Sequence, residues 1–559
     1  MQRSRLFLFS FFLFISASHI TGQVIYNSLP MDSELVARDL KTNMGTITIA
    51  GEVLKTKTTP DSIAVKLFRD SKLIETQYRD LHYSGDTASF NFALQIPAEL
   101  HEYSVSVYLI SHRAEWQDTT IKAIVAGDVY LIEGQSNALA TMRDSGSANG
   151  NKSEFIRTFA LPDTSVQGLM HHLVWYQGEG DGSVKENGHV GQWGLRLGRL
   201  LVDNMKIPVA LFNGAFGGTP ISYYSCPGDY KKNLKSNYAR VYYRLKATGL
   251  EKNVRAVIWS QGESDAESGN SSVNYKNIFI VLQKAWQEDY PGIEKTYIFQ
   301  TSVGNSGISV NSLLAVAEGQ RQMDVENKDI EIIPTYALKS DKGGLHFVYK
   351  GGYEEFGNRL YPLIARDLYN IKSDKEIDAP MINNAYLSDT NVLVLVESTN
   401  SLQEHTVANG VANASIDTSI ILKNKIITRL YKRPPKNTGA CLPYRNPLLV
   451  FTNSNNIEIL SFYNYPIIDS VSAIRNGLKK HISVGLCHRL FHKGTSLFVK
   501  MSGTHYLEFF NTREQRTKWV KFSGRHYTLN TISWAKDCYS IHVYDDELNL
   551  LGTTELLVQ

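Results

Sequence analysis

The spacing of apolar residues divides this chain into three regimes. Between residues 24 and about 120, short runs at Thr46 to Ala50, Ser62 to Phe68, Ala88 to Leu94 and Tyr103 to Ile110 are separated by turn residues. That pattern predicts a small antiparallel β-sandwich. From residue 121 to 372, strand-like runs at Val125 to Ile132, Ile207 to Phe212, Val254 to Trp259, Thr296 to Gln300 and Ile330 to Tyr336 alternate with helix-like stretches. Alternation of this kind predicts a parallel sheet covered on both faces. Tyr238, Val241, Tyr242 and Leu245, and then Tyr275, Ile278, Phe279, Leu282 and Trp286, recur at helical spacing, one apolar stripe per helix. Residues 375 to 559 return to β-rich runs, among them Val392 to Val396, Ser419 to Leu422, Leu448 to Phe451, Ile457 to Phe462, Ser496 to Val499, Tyr506 to Phe510 and Tyr539 to Val543.

Four polar signals stand at the carboxyl ends of apolar runs or ahead of a helix in the middle regime. Gly134-Gln135-Ser136-Asn137 follows the first run and leads into a helix-like stretch, placing a serine hydroxyl at a strand-to-helix turn. A serine there can serve as a nucleophile, its own N–H facing a developing oxyanion, provided a histidine takes its proton. Asn213-Gly214-Ala215-Phe216-Gly217-Gly218-Thr219 follows the second run, and paired glycines present unobstructed N–H groups. Trp259-Ser260-Gln261-Gly262-Glu263-Ser264-Asp265 closes the third run with a carboxamide and two carboxylates. Asp341-Lys342-Gly343-Gly344-Leu345-His346 precedes a helix-like run through Phe356, Leu360 and Ile364.

Taken in order, these elements resemble the SGNH hydrolases, and within them the sialate O-acetylesterase and acetylxylan esterase branch. The resemblance spans roughly residues 124 to 370. It implies a flavodoxin-like α/β/α fold and removal of acetyl groups from sugar hydroxyls, with Ser136 as nucleophile, His346 as proton carrier, and neither metal nor organic cofactor. Expected oxyanion donors are the N–H groups of Ser136 and Gly218, with Gly217 as its neighbour, and the Gln261 side chain. Gln135, Asn137 and Trp175 are expected to line the substrate site.

Two departures from the family pattern bear on the acid. The wider superfamily has an aspartate three positions before its histidine, and here that position is Gly343; the nearest acid is Asp341. Glu263 matches the QGE glutamate that orients the histidine in part of the branch, so Glu263 ranks first and Asp341 second. Ser264 stands where a superfamily asparagine would donate to the oxyanion. A near-duplicate block, Trp175-Tyr176-Gln177-Gly178-Glu179-Gly180-Asp181, precedes the glycine block and is out of order for the acid. His171 and His172 read as local polar contacts, because no matched metal-ligand spacing accompanies them.

Arg3 and Arg5, the apolar run Leu6 to Ile15 and the small and polar residues through Gly22 have the pattern of a secretory signal peptide over residues 1 to 22. Export to a periplasm or outside the cell is the expectation, with no later membrane span. The 58 Lys+Arg against 55 Asp+Glu leave no excess basic surface for nucleic acid. Cys226, Cys441, Cys487 and Cys538 are too scattered for a disulfide framework. The expected partner is an acetylated glycan or sialic acid. A non-catalytic glycan-binding protein and a β-domain scaffold are the readings from other classes, and neither needs Ser136 and His346 in this order.

Overall fold

A computed structural model of the chain describes residues 19–387, apart from 22, 113, 161–167, 170–171, 183–186, 226–232 and 303–306; beyond 387 it describes chiefly strands and the stretch 451–469. Two compact units are present, one of Met1–Met381, Ser401–Gly410 and Cys441–Tyr463, the other of Ile382–Asn400, Val411–Ala440 and Asn464–Gln559. Most of the expected leader, and His171, lie outside the described residues.

The first unit begins with two sheets, and buried and outward side chains alternate along Met44–Leu54 and Thr87–Pro97. In Thr87–Pro97 the side chains of Ala88, Phe90, Phe92, Leu94 and Ile96 are buried while the intervening residues face outward. This strand pairs antiparallel with Met44–Leu54, which pairs with Val24–Ser28. Lys72–Asp80, Ser62–Arg69, Tyr103–Ser111 and the start of Ala114–Gly134 form the second antiparallel set. Ile47, Ile49, Phe92, Ile63, Val65, Val105 and Val107 from both sets share one apolar core, the outcome that period-two patterning dictates.

Ala114–Gly134 is 21 residues long and changes role along its length. Its first half is antiparallel to Tyr103–Ser111; its second half, from Asp128, runs between Val209–Asn213 and Val254–Ser260, parallel to both. The sheet order there is Trp175–Gln177, Ile156–Phe159, Val209–Asn213, Ala114–Gly134, Val254–Ser260, Lys295–Phe299, Ile330–Ile333. All neighbours are parallel except the Trp175–Gln177 edge. Ile156–Phe159 was not expected from the sequence, because four residues carry too short a pattern to stand out. The expected run to Tyr336 ends at Ile333, where Pro334 lacks the N–H a ladder needs.

Helices occupy the intervals. Asn237–Ala247 buries Tyr238, Val241 and Leu245, and Ser236 caps it by accepting the Ala239 N–H at 3.2 Å. Ser272–Asp289 buries Tyr275, Phe279, Leu282 and Trp286 on one stripe. Gln192–Met205, Val310–Glu326 and Glu354–Tyr369 complete the larger helices. Apolar residues pack in two clusters, one containing Trp259, Phe279 and Trp286, the other Trp193, Phe299 and Phe356.

The stretch Ile457 to Phe462, expected as a strand, is mostly irregular. Its backbone is held by side chains: Gln300 Nε2 donates to the Ser461 carbonyl at 2.9 Å and Gln300 Oε1 accepts the Ser461 N–H at 2.7 Å. Buried Glu458 pairs with Arg359 at 2.7 Å. Ile457, Ile459 and Leu460 are therefore buried outside a regular strand, and Phe462 begins one. In the second unit, Ile416–Leu422, Lys425–Leu430, Val392–Glu397 and Ile382–Leu387 form consecutive antiparallel pairs, as do Arg516–Ser523, Thr504–Phe510, Asp537–Tyr544 and Leu550–Val558.

Candidate active site

Three of the four sequence signals meet at the carboxyl end of the central strands, and the fourth loop folds over them. Gly134 ends the central strand at φ +128, and a Cβ there would lie 2.1 Å from the Ser260 carbonyl oxygen, so only glycine fits. The Gln135 N–H donates to that same carbonyl at 2.9 Å, and the chain turns into the short helix Ser136–Leu139. Ser136 is its first residue and is buried, 9% exposed. The Ser136 hydroxyl lies 2.9 Å from His346 Nε2, 210 positions later in sequence. An imidazole nitrogen at that distance can take a proton from the hydroxyl as it attacks.

The acid facing the other ring nitrogen is Asp341, its Oδ2 3.7 Å from His346 Nδ1. The five-residue spacing works because the loop doubles back. The Gly344 N–H donates to the Asp341 carbonyl at 3.1 Å, Gly344 has φ +69, and the Asp341 N–H donates to the His346 carbonyl at 2.7 Å. Ser340 and Phe347 are bridged just outside. Glu263, ranked first from the sequence, points elsewhere: its Oε1 accepts from Asn137 Nδ2 at 2.7 Å. Its Oε2 is buried with no partner among the described residues. Burial pushes the Glu263 carboxyl above its ordinary range, aided by the neighbouring Asp265 charge and opposed by hydrogen bonds from its own N–H and Asn137.

Three further residues expected to touch substrate or oxyanion are committed to protein contacts. Gln135 is buried, and its Oε1 faces Gln261 Nε2 at 3.2 Å, the Gly262 N–H at 3.3 Å and the Ser264 N–H at 3.2 Å. It therefore holds the third signal against the first. Gln261 Nε2 also faces the Thr219 carbonyl at 3.1 Å and Asp265 Oδ2 at 2.6 Å, which leaves neither hydrogen for an oxyanion. Asn137 is buried, with Nδ2 donating to Glu263 and to the Leu345 carbonyl at 3.1 Å, and Oδ1 accepting from the Tyr353 hydroxyl at 2.9 Å.

Trp175 is core as well, 6% exposed and packed against Phe159 and Phe212 at centroid distances of 5.4 and 6.2 Å. Its block, the near-duplicate, anchors a loop. Asp181 accepts the Ala148 N–H at 2.7 Å and Gln192 Nε2 at 2.9 Å, and Glu179 receives Asn149 and Lys152. The loop so anchored begins just after the Ser136 helix. His172, exposed, supplies only a backbone carbonyl to Val174 among the bonds described.

The glycine block lies beside the serine. A Cβ on Gly217 would be 3.8 Å from Ser136 Cβ, whereas one on Gly218 (φ +71) would meet nothing within 4 Å. Phe216 and Tyr223, both half-buried, stack at 5.5 Å next to it. The Phe216 N–H donates to the Gly134 carbonyl at 2.9 Å, and Tyr224 hydroxyl reaches the same oxygen.

His346 is held below the ordinary histidine range, first by burial and then by the positive charge of Arg143; Asp341 opposes both. A neutral imidazole, ready to accept a proton, follows at neutral pH. Arg143 was missed by sequence reading. It is exposed, lies in no motif, and matters only because the anchored loop brings it near His346. Among the described residues there is no cluster of three or more His, Cys, Asp or Glu that could hold a metal, and no helix long and apolar enough to cross a membrane.

Residues 126–365 match the model of a family described as carbohydrate esterase, sialic acid-specific acetylesterase. The match covers the region that carries Ser136 and His346. The protein is an ester hydrolase of the carbohydrate esterase kind. A carbohydrate acetylesterase from Xanthomonas citri has a similar fold, with a TM-score of 0.54 at 18% identity, covering 78% of this chain and 99% of the other. A protein from Arabidopsis thaliana aligns at a TM-score of 0.33 and 18% identity over 44% of this chain and 99% of its own. A family two carbohydrate esterase from Cellvibrio japonicus aligns at 0.29 and 12%, over 62% and 98%. No curated protein matches the chain.

Proposed function

We propose that the protein is an exported serine esterase that removes O-acetyl groups from glycans, with acetylated sialic acid as the preferred substrate class. The observation that carries the serine mechanism is the 2.9 Å contact between Ser136 Oγ and His346 Nε2. Ser136 Oγ attacks the acetyl carbonyl while His346 Nε2 takes its proton. The tetrahedral intermediate collapses, the sugar oxygen leaves with the proton from His346, and acetate remains esterified to Ser136. Water then attacks that ester, His346 accepts one of its protons, and collapse returns a proton to Ser136 and frees acetate. Asp341 supports the imidazolium formed in each half.

The backbone N–H groups of Ser136 and Gly217, with Gly218 next to it, are the donors we assign to the oxyanion, since the Gln261 side chain is occupied. Loss of one such donor typically costs about a hundred- to a thousandfold in turnover. The stacked Phe216 and Tyr223 beside Gly217 offer the leaving sugar an apolar wall. The family description of residues 126–365 favours sialic acid over xylan as the carrier of the acetyl group. The layering of the parallel sheet is read as flavodoxin-like, and the sheets before it as a β-sandwich. The residue 1–22 pattern supports export.

The test is acetate release from a panel of O-acetylated sialic acids and acetylated xylo-oligosaccharides. Higher kcat/KM on the sialic acids supports the reading. A preference for the xylan fragments transfers the assignment to acetylxylan esterase, and no release from either removes it.

A further inference from the structure

Asn137 touches both halves of the reacting pair. Its backbone follows Ser136 directly, and its side-chain nitrogen bonds the carbonyl of Leu345, the residue preceding His346. Every polar group of the carboxamide is used: Nδ2 donates to Glu263 Oε1 at 2.7 Å and Leu345 O at 3.1 Å, while Oδ1 accepts from Tyr353 at 2.9 Å. Its backbone carbonyl accepts Trp193 Nε1 at 2.8 Å. With all four contacts buried or partly buried, the amide has one orientation available, because a rotated carboxamide would set oxygen against two acceptors.

We infer that Asn137 is a positioning residue that sets the placement of His346 against Ser136 through the Leu345 carbonyl, and that Glu263 acts as the hydrogen-bond acceptor that orients Asn137. This rests on Ser136 and His346 being the reacting pair. Glu263 then needs an acceptor oxygen and no negative charge. Its environment agrees: the side chain is buried, only one oxygen is bonded, and no cation pairs with it among the described residues. Glutamine at this position keeps the acceptor and places an NH2 where Oε2 has no partner. Aspartate at 137, in contrast, presents only acceptors to Glu263 and to the Leu345 carbonyl unless it is protonated.

The chemistry suggests a reversal. In the double variant Asn137→Asp with Glu263→Gln, the donor moves from residue 137 to residue 263 and the side-chain hydrogen bond re-forms in the opposite sense. The bond to Leu345 is not restored, so recovery is partial.

The experiment measures kcat, KM and pH profiles of acetate release from 4-nitrophenyl acetate by Glu263→Gln, Asn137→Asp, the double variant and Ser136→Ala, each in the full chain. Misplacement of a reacting group by about 1 Å costs on the order of a hundredfold, so Asn137→Asp is expected to lose about that in kcat at pH 8 with little change in KM. Its remaining activity shifts toward acid, where residue 137 and Glu263 share a proton. The double variant regains about tenfold at pH 8, the effect expected of one restored buried hydrogen bond, and Glu263→Gln alone stays within about threefold of the parent. A merely structural role would change thermal stability without the pH shift or the rescue. Full kcat in folded Asn137→Asp, or a loss in Glu263→Gln as large as in Asp341→Asn, overturns the inference. Should Asn137→Asp fail to fold, the Glu263→Gln result decides. Activity retained by Ser136→Ala would instead overturn the underlying reading of the pair.

Discussion

The backbone N–H of Asp341 donates to the carbonyl of His346 at 2.7 Å, so the two residues face each other across a turn built on Gly343 and Gly344. This is what brings a carboxylate five positions away to 3.7 Å from the imidazole. A three-residue spacing would use a different local geometry, and the loop here reaches a similar result by doubling back.

Asp341→Asn is therefore expected to damage turnover more than Glu263→Gln. Replacing a buried triad aspartate by asparagine typically lowers kcat by about 10⁴. Asp341 is partly exposed and 3.7 Å away, so a smaller loss, roughly ten- to a thousandfold, is expected. Steady-state kinetics of the two variants on one acetyl ester check the order.

The pH dependence has a definite sign. Burial and the Arg143 charge both favour neutral His346, so the acid limb of kcat/KM is expected below the ordinary histidine value of about 6.5. Arg143→Gln removes a positive charge and moves that limb upward; Asp341→Asn removes the opposing negative charge and moves it downward. A pH profile in which both variants shift the same way contradicts the electrostatic assignment.

Glu133, directly before the Gly134 turn, is a fully buried acid whose carboxyl is raised to about 8, first by loss of solvent and against the pull of Arg244 and Arg240. Its proton is held in the folded protein and lost near pH 4.5 on unfolding, so the stability it gives is complete below about 4.5 and declines as pH rises to about 8. Glu133→Gln should accordingly gain stability over the parent across that window and no further above it. Asn237 Nδ2, 3.4 Å from Glu133 Oε2, can still donate to the amide oxygen. Thermal denaturation of both proteins at pH 5 and pH 8 makes the comparison.

Trp175→Ala is expected to lower stability by about 3–5 kcal/mol while leaving KM unchanged in the folded fraction, because the ring packs on Phe159 and Phe212. Urea denaturation alongside kinetics separates this from a role in substrate binding.

Most of the parallel strands were legible because each is a near-continuous apolar run that leads to a polar block, as Val254–Ser260 does before Gln261, whereas Ile156–Phe159, four residues long with Arg157 inside it, was not. Ser136 and His346 stood out because each occupies a chemically specific turn. The roles of Gln135, Asn137 and Gln261 were not legible. A carboxamide beside a reactive serine has the same letters whether it meets substrate or an internal carbonyl, and only burial and partners separate the two. Glu263 outranked Asp341 for a related reason: motif spacing does not record how a Gly-Gly turn folds. Arg143 lay beyond sequence reasoning altogether, since its charge reaches His346 through a loop anchored by Asp181.

Mass spectrometry of peptides from protein quenched during turnover of an acetyl ester tests the central claim most directly. An acetyl group on the peptide containing Ser136, absent in Ser136→Ala together with turnover, is the result expected. Undiminished acetate release by folded Ser136→Ala, with no acetylated peptide in the parent, would contradict it.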